Sequence, residues 1–379
     1  MTISDLTAQS NISDSVKTSV IDWMEEEPVG ECVSTTTFYY RKQLRNRLFF
    51  IILTALATVL IAGYSLSAGK TQVGFVETYS TIFHHIMGDI QDKFIDYMVV
   101  DIRLPRVLGG IIAGSGLAVC GVVMQSVLKN PLADPFTTGV SSGASFGATI
   151  AISTGMVLYF GYVSLITLAF VCSMVPIFMI IVLSKTSKAS PTTMIMAGIG
   201  VMYIFNAFTT VLKLWANPDD LSSIYTWEVG SLSMVTLDQL PIMGGICIVG
   251  LIVVQILSGK LNILATGDDN AKAMGIDAET LRIILLLLTG LISASIVSFT
   301  GLIGFIGLVS PHICRMFVGA DNRYLIPASA MFGSMFLILA DLIGRAFLGP
   351  IMLQVGVVMS FVGGPLFIML ILKRSSKVW

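Results

Sequence analysis

Residues Arg103–Ala148 read RLPRVLGGIIAGSGLAVCGVVMQSVLKNPLADPFTTGVSSGASFGA, and they limit the possible folds more tightly than any other stretch. Two arginines one helical turn apart, Arg103 and Arg106, open an apolar run dense in glycine. In water each interior glycine weakens a helix by roughly 1 kcal/mol relative to alanine. A membrane bundle gains from them, because small residues let helix backbones approach where lipid gives no hydrophobic drive to associate. The run closes on Asn130-Pro131-Leu132-Ala133-Asp134-Pro135. Two prolines so close together break a helix, and the segment predicts a tight, structured connection at the membrane surface.

Composition excludes the soluble alternative. The 379 residues are 55% hydrophobic and 12% charged, where soluble domains carry about 45–50% and 25%. Mean hydropathy is +0.86. A net charge of −1 gives no ground for a nucleic-acid partner. Cys32, Cys120, Cys172, Cys247 and Cys314 are scattered, without CxxC or Cys/His spacing. They read as packing residues, not as disulfides or zinc ligands. Residues 1–44 are polar and acidic and lack the apolar segment of a signal peptide. They read as a disordered cytoplasmic tail, with a short helix near Ile21–Glu27, ahead of a membrane domain over residues 45–379.

A span takes roughly 20 apolar residues. Leu48–Ala68, Val107–Leu128, Val157–Leu183, Thr192–Leu214, Leu240–Leu257, Leu281–Val297, Leu325–Leu348 and Val355–Leu372 qualify. Val140–Thr154 and Ile303–Val318, the latter with Pro311 inside, are shorter, as spans beside transport pathways can be. Counting both predicts an all-α polytopic membrane protein of ten spans. Lys/Arg placement supports the count. With the N-terminus inside, the inner segments hold most of the basic residues, from Arg41 and Lys42 to Arg374 and Lys377. The outer segments hold Lys70, Lys93, Arg103, Arg106 and Arg345. Basic residues favour the cytoplasm, and dropping either short span breaks the alternation. Both termini are then cytoplasmic, and the chain sits in the inner or plasma membrane of the cell.

Two connections exceed simple turns. Gly69–Ile102, outside, carries Phe83, Ile86, Ile90, Phe94 and Ile95 near helical spacing and is expected to lie on the outer surface. Gly259–Leu281, inside, reads as short helix, turn, short helix, with Asp277 placed to cap the next span. Such a polar helical loop is either a docking surface or a solvated connector.

At this point the chain resembles the permease family of ATP-binding-cassette (ABC) importers for iron–siderophore, haem and cobalamin, the FecCD family. Three blocks carry the resemblance: Arg103–Ala148; Thr226–Leu240, TWEVGSLSMVTLDQL; and Gly301–Arg345, which opens GLIGFIGLVSPHICR. The match runs from about Arg45 to Lys373. The resemblance implies a ten-span transport subunit, working with a second permease copy or a paralogue in the lipid bilayer. ABC ATPase subunits would bind inside and a substrate-binding protein outside. The chain has no GxxxxGK[ST] phosphate loop, so hydrolysis falls to the partner and no catalytic residue is expected here. Neither a cofactor nor a resident metal is expected.

The resemblance also implies roles for individual residues. Arg103, Arg106 and Arg345 would dock the binding protein, as exposed cations around a pore mouth that attract carboxylates. Asn130, Pro131 and Leu132, with Ser190, Pro191 and Thr192, would form a cytoplasmic gate. Ala265, Thr266, Gly267, Asp268, Met274, Gly275 and Ile276 would belong to the loop that couples to the ATPase, with Gly275 allowing a tight turn. Pro311-His312-x-x-Arg315 invites a ligand or proton-relay role, but the family carries it whatever the cargo, which implies a structural one. His84 and His85 have no ligand partner at a useful spacing. One departure stands out: Met352-Leu353-Gln354-Val355-Gly356 replaces the family's usual Glu-x-Pro-x-Gly.

Other classes fit less well. An ion-gradient-driven transporter needs carboxylates at mid-membrane, and these spans have almost none, Asp341 lying near a span end. A channel needs a filter or charged ring, and none is visible. Iron–siderophore is the expected cargo, with cobalamin, haem and oxyanions open.

Overall fold

The apolar stretches become helices because a chain in lipid must satisfy its backbone internally. The computed structural model describes residues 29–69, 73–186, 190–346 and 353–372. Among these every regular element is helical. Two units divide the chain, Met1–Phe49 and Phe50–Trp379.

The long helices are α1 (Val29–Ser67), α4 (Leu104–Val127), α7 (Tyr162–Thr186), α8 (Pro191–Trp215), α10 (Leu240–Thr266), α12 (Ala278–Thr300) and α14 (Asn322–Ala346). Among the described residues seven helices are long and apolar enough to cross a membrane. Three shorter ones, α5 (Val140–Ser153), α13 (Ile306–Val318) and α15 (Val355–Leu372), occupy the remaining expected spans. At 1.5 Å per residue α5 and α13 reach only about 20 Å, short of a hydrocarbon core of about 30 Å. Between them lie short helices: α2 (Phe75–Met87), α3 (Lys93–Asp96), α6 (Met156–Phe160), α9 (Pro218–Glu228) and α11 (Asp268–Ala273). A π-helical turn, Tyr97–Arg103, leads into α4.

Helix α4 is the centre. Its most apolar window is 83% buried, against 22% in α8. It packs against α10, α12, α13 and α14. Glycine makes this possible. A Cβ on Gly114 would strike the Gly333 backbone of α14, and one on Gly121 would strike the Gly307 carbonyl of α13. Similarly, Gly143 and Gly147 set α5 directly against the carbonyls of Cys172 and Leu168 on α7. The glycine-rich run is therefore a packing surface on both sides of its loop. Cys120, Cys247 and Cys314 are free and buried among these helices, consistent with packing residues.

Several boundaries differ from expectation. Helix α1 starts at Val29, so residues 29–44 are helical where a disordered tail was expected; a helix already propagating adds one hydrogen bond per residue and tolerates polar sequence. The expected helix near Ile21–Glu27 lies outside the described residues. The span expected from Val157 begins at Tyr162, because Gly161, at φ 68°, separates α6 from α7. The span expected to end at Leu257 continues to Thr266, and that expected from Ile303 starts at Ile306. The connection over Gly69–Ile102 is partly helical as expected, and Phe75, Val76, Phe83, Ile86 and Met87 of α2 stand exposed.

Candidate functional site

Three arginines and one aspartate meet at the N-terminal end of α4. Arg106 donates to Asp341 from Nε at 2.9 Å and from Nη2 at 2.7 Å. Arg345, one turn beyond Asp341 on α14, donates to the same carboxylate from Nε at 2.9 Å. Its Nη atoms reach the carbonyls of Ser65 and Ala68, while Arg103 Nη1 donates to those of Leu66 and Ser67. The last carbonyls of a helix lack intrahelical donors and carry partial negative charge, so two guanidiniums close the end of α1. Arg103, Arg106, Asp341 and Arg345 are all buried.

This corrects the expectation of exposed docking groups. The arginines do gather at one end, but their planar forks are occupied by a carboxylate and a helix terminus. The sequence could not show it, because Asp341 lies 235 residues from Arg106. The available signal was the single acid of the expected span Leu325–Leu348, one turn before its single base, Arg345.

At the other end of α4, Lys129 has a left-handed backbone, φ 48°. The Asn130 N–H reaches back to the Gln125 carbonyl, which closes the helix as a glycine at this position normally would. Lys129 Nζ lies 2.9 Å from Asp268 Oδ1, the first residue of α11. Arg282 Nη2 donates to the same oxygen at 2.9 Å from the first turns of α12. Partial burial would raise the Asp268 carboxyl, but the Lys129 hydrogen bond and the Arg282 charge outweigh it and hold it below the usual range. Asp277 caps α12 through the N–H groups of Glu279 and Thr280, as expected.

The residues expected at the gate are all at this end. Asn130 Oδ1 accepts from the Leu132 N–H, and Leu132 is exposed. Ser190 caps α8 through the Thr193 N–H, with Pro191 at the first helical position and Thr192 exposed. Ala133 and Met194 share one apolar cluster, and α8 packs on the short turn Pro135–Thr138. Asp134 caps that turn, and its burial pushes the carboxyl up to about 6 against the pull of the Thr137 and Phe136 N–H groups. Of the expected coupling residues, Ala265 and Thr266 end α10 and Gly267 caps α11. Met274 and Gly275 form an exposed turn, with open space around Gly275 at φ 75°, ahead of Ile276.

Between the ends, the chain unwinds from Gly301 to Phe305. The Ser231 N–H donates to the Thr300 carbonyl at 2.7 Å, and the Gly356 N–H to that of Gly230 at 3.3 Å. A cavity of about 420 Å³ is lined by Glu228, Leu302, Gly304, Gly356, Ser360 and Phe361. Irregular backbone at membrane depth is tolerated where it lines a cavity or is buried in protein. Glu228 pairs with Lys213 at 2.6 Å and accepts from Ser145. Sequence reasoning missed this pair, since Lys213 sits at the end of an apolar span and its partner lies on the next helix. His85 pairs with Asp96 at 2.9 Å, and Arg315 with Gln125 of α4. The latter supports a structural reading of the Pro-His-x-x-Arg segment. Among the described residues no cluster could hold a metal ion.

A glycine-packed central helix, unwound backbone beside a cavity and polar clusters at both ends define a membrane transport permease. The chain belongs to the FecCD transport family, whose model matches residues 53–373. It is 35% identical to a Methanocaldococcus jannaschii protein provisionally described as an ABC transporter permease, over 89% of this chain and 98% of that one. It is 32% identical to the hemin transport system permease protein of Yersinia pestis, over 88% and 98%. A solved structure, described as an inward-facing conformation of a transporter assigned provisionally to the metal-chelate ABC type, matches with a TM-score of 0.75 at 28% identity, covering 85% of this chain and 98% of that one. The chain is thus an ABC importer permease of the metal-chelate type, a transport subunit of the cell membrane.

Proposed function

We propose that this permease moves an iron–siderophore-type chelate inward, received from an external binding protein and driven by separate ATPase subunits. Two permease copies enclose the pathway, and both termini are cytoplasmic. The observation that carries the reading is the inner end. There a short polar helix and an open Met274-Gly275 turn sit beside the loop that closes α4, which suits a partner docking from the cytoplasm. Ala265–Ile276 couple to that partner, and Asn130–Leu132 with Ser190–Thr192 form the gate. Relatives named for ferric citrate, ferric hydroxamate and cobalamin support a chelated-metal cargo.

Arg103, Arg106 and Arg345 contribute to docking indirectly. Held by Asp341 and the end of α1, they fix the shape of the outer face. The cluster itself is net positive, but the outer segments around it carry Glu77, Asp89, Asp92, Asp219 and Asp220, so the arginines act on docking through shape and not through the charge of the whole face.

The test is ATP-dependent uptake by the assembled importer in liposomes, with labelled ferric hydroxamate, ferric citrate, haem, cobalamin and molybdate offered in parallel. Accumulation of the ferric chelates is expected. Uptake of cobalamin or molybdate alone would reassign the cargo. Thiol labelling of Asp219→Cys from outside and of Asp269→Cys from inside checks the orientation, and labelling of both from one side would reject it.

A further inference from the structure

The geometry points to Asp268 as a positioning residue that ties the ATPase-facing loop to the gate through Lys129. The inference rests on the importer reading above and assigns it a transmission point. Asp268 opens α11, the short helix of the coupling loop, and Lys129 immediately precedes Asn130-Pro131-Leu132. One carboxylate oxygen, Asp268 Oδ1, receives both Lys129 Nζ and Arg282 Nη2, each at 2.9 Å.

The three partners differ in freedom. Arg282 is buried on α12. Helix α4 is pinned just before its end, where Gln125 Nε2 donates to the Gly307 carbonyl and Ser126 Oγ to Asn322 Oδ1. Helix α11 has six residues and an exposed outer side. A push on α11 from the cytoplasm therefore moves Asp268 relative to fixed neighbours, and the Lys129 pair carries the displacement to the gate loop. Apolar packing runs parallel to it: Ala271 of α11 shares a cluster with Leu128 and Ala133, the residues that bracket Lys129–Leu132. The Lys129 backbone fits the same role. A non-glycine residue at positive φ is held there by its surroundings, at a cost of order 1 kcal/mol. Glycine would end the helix equally well, so the lysine side chain is what that position retains.

The experiment uses the assembled importer in nanodiscs, with Cys32→Ser, Cys172→Ser and a spin label on Leu132→Cys. The distance between labels in the two copies is followed on adding Mg-ATP and vanadate. The parent shifts between two distance populations. Lys129→Gly and Asp268→Asn should each reduce the shift in their ratio about two- to fivefold, the range for one partly exposed ion pair. Lys129→Arg should keep it, and Lys129→Gly/Asp268→Asn together should do no more than the larger single change. Melting of Lys129→Gly at or above the parental temperature separates lost transmission from lost folding. A parental response in Lys129→Gly, or additive losses in the double variant, overturns the relay. A parent that binds ATPase and nucleotide without any shift at residue 132 overturns the gate assignment beneath it instead, and one that binds no ATPase overturns the importer reading.

Discussion

At the N-terminal end of α4, outer in the orientation proposed above, an aspartate shared by two arginines is sealed off, its side chain 2% exposed. At its C-terminal end, inner in that orientation, an aspartate shared by a lysine and an arginine is 36% exposed. The chemistry is nearly the same and the surroundings are opposite. Low dielectric strengthens the outer attraction but makes any unpaired member costly. Water and salt weaken the inner one to the point where a partner's docking energy can rearrange it. One helix thus carries a lock at one end and a movable joint at the other.

The strongest way to break this comparison is Asp341→Asn. It strands Arg106 and Arg345 without their carboxylate, and breaking a buried pair costs about 3–5 kcal/mol. The expected outcome is a large fall in melting temperature or loss of folded protein in the membrane. A variant that melts within a degree or two of the parent would show that the outer cluster is not a lock.

A second effect separates the two inner aspartates. The Asp134 carboxyl is raised to about 6, so the folded state binds its proton more tightly than the unfolded chain does. Its contribution is fully present below about pH 4, the unfolded value, and is lost as pH rises through 6. A carboxyl raised that far contributes about 2–3 kcal/mol. Asp268 runs the other way: its contribution is present at neutral pH and is lost only as pH falls below the ordinary carboxylate range. Between pH 7 and 5 the parent should therefore gain stability in thermal melts, and Asp134→Asn should flatten that gain. A parental profile in the Asn variant would assign the gain elsewhere.

The smallest effect is the most selective. Raising NaCl from 0.1 to 1 M shortens the Debye length from about 10 to 3 Å. The inner pair should weaken by at most about 1 kcal/mol, read as a shift of the stability difference between parent and Lys129→Gly in favour of the glycine variant at high salt. The difference between parent and Asp341→Asn should hardly change. Equal salt sensitivity at both ends would erase the distinction.

The helices were legible because lipid demands long apolar runs. Helix ends were less so. Hydropathy reports where the chain is apolar, and α10 continues nine residues past Leu257 into polar sequence to Thr266. The site was legible as residue types at an end, and not as partners. Arg103, Arg106 and Arg345 read as exposed because nothing local pairs with Arg106, and Asp268 read as a partner contact while its carboxylate turns toward Lys129, 139 residues away. Contacts between helices far apart in the chain leave no periodic trace.

The separation between Arg106 and Asp341 also bears on synthesis. In the orientation proposed above, both arginines at the head of α4 cross the bilayer during translation. Arg103 meets its acceptors soon, since the carbonyls of Leu66 and Ser67 lie only 37 and 36 residues upstream. Arg106 waits for a residue not yet made. At 5–20 residues per second the ribosome needs roughly 12–47 s to cover the 235 residues to Asp341. Throughout that interval the nascent bundle carries an uncompensated cation at its outer rim, so α4 is held by water, headgroups or the insertion machinery until α14 arrives and seats it.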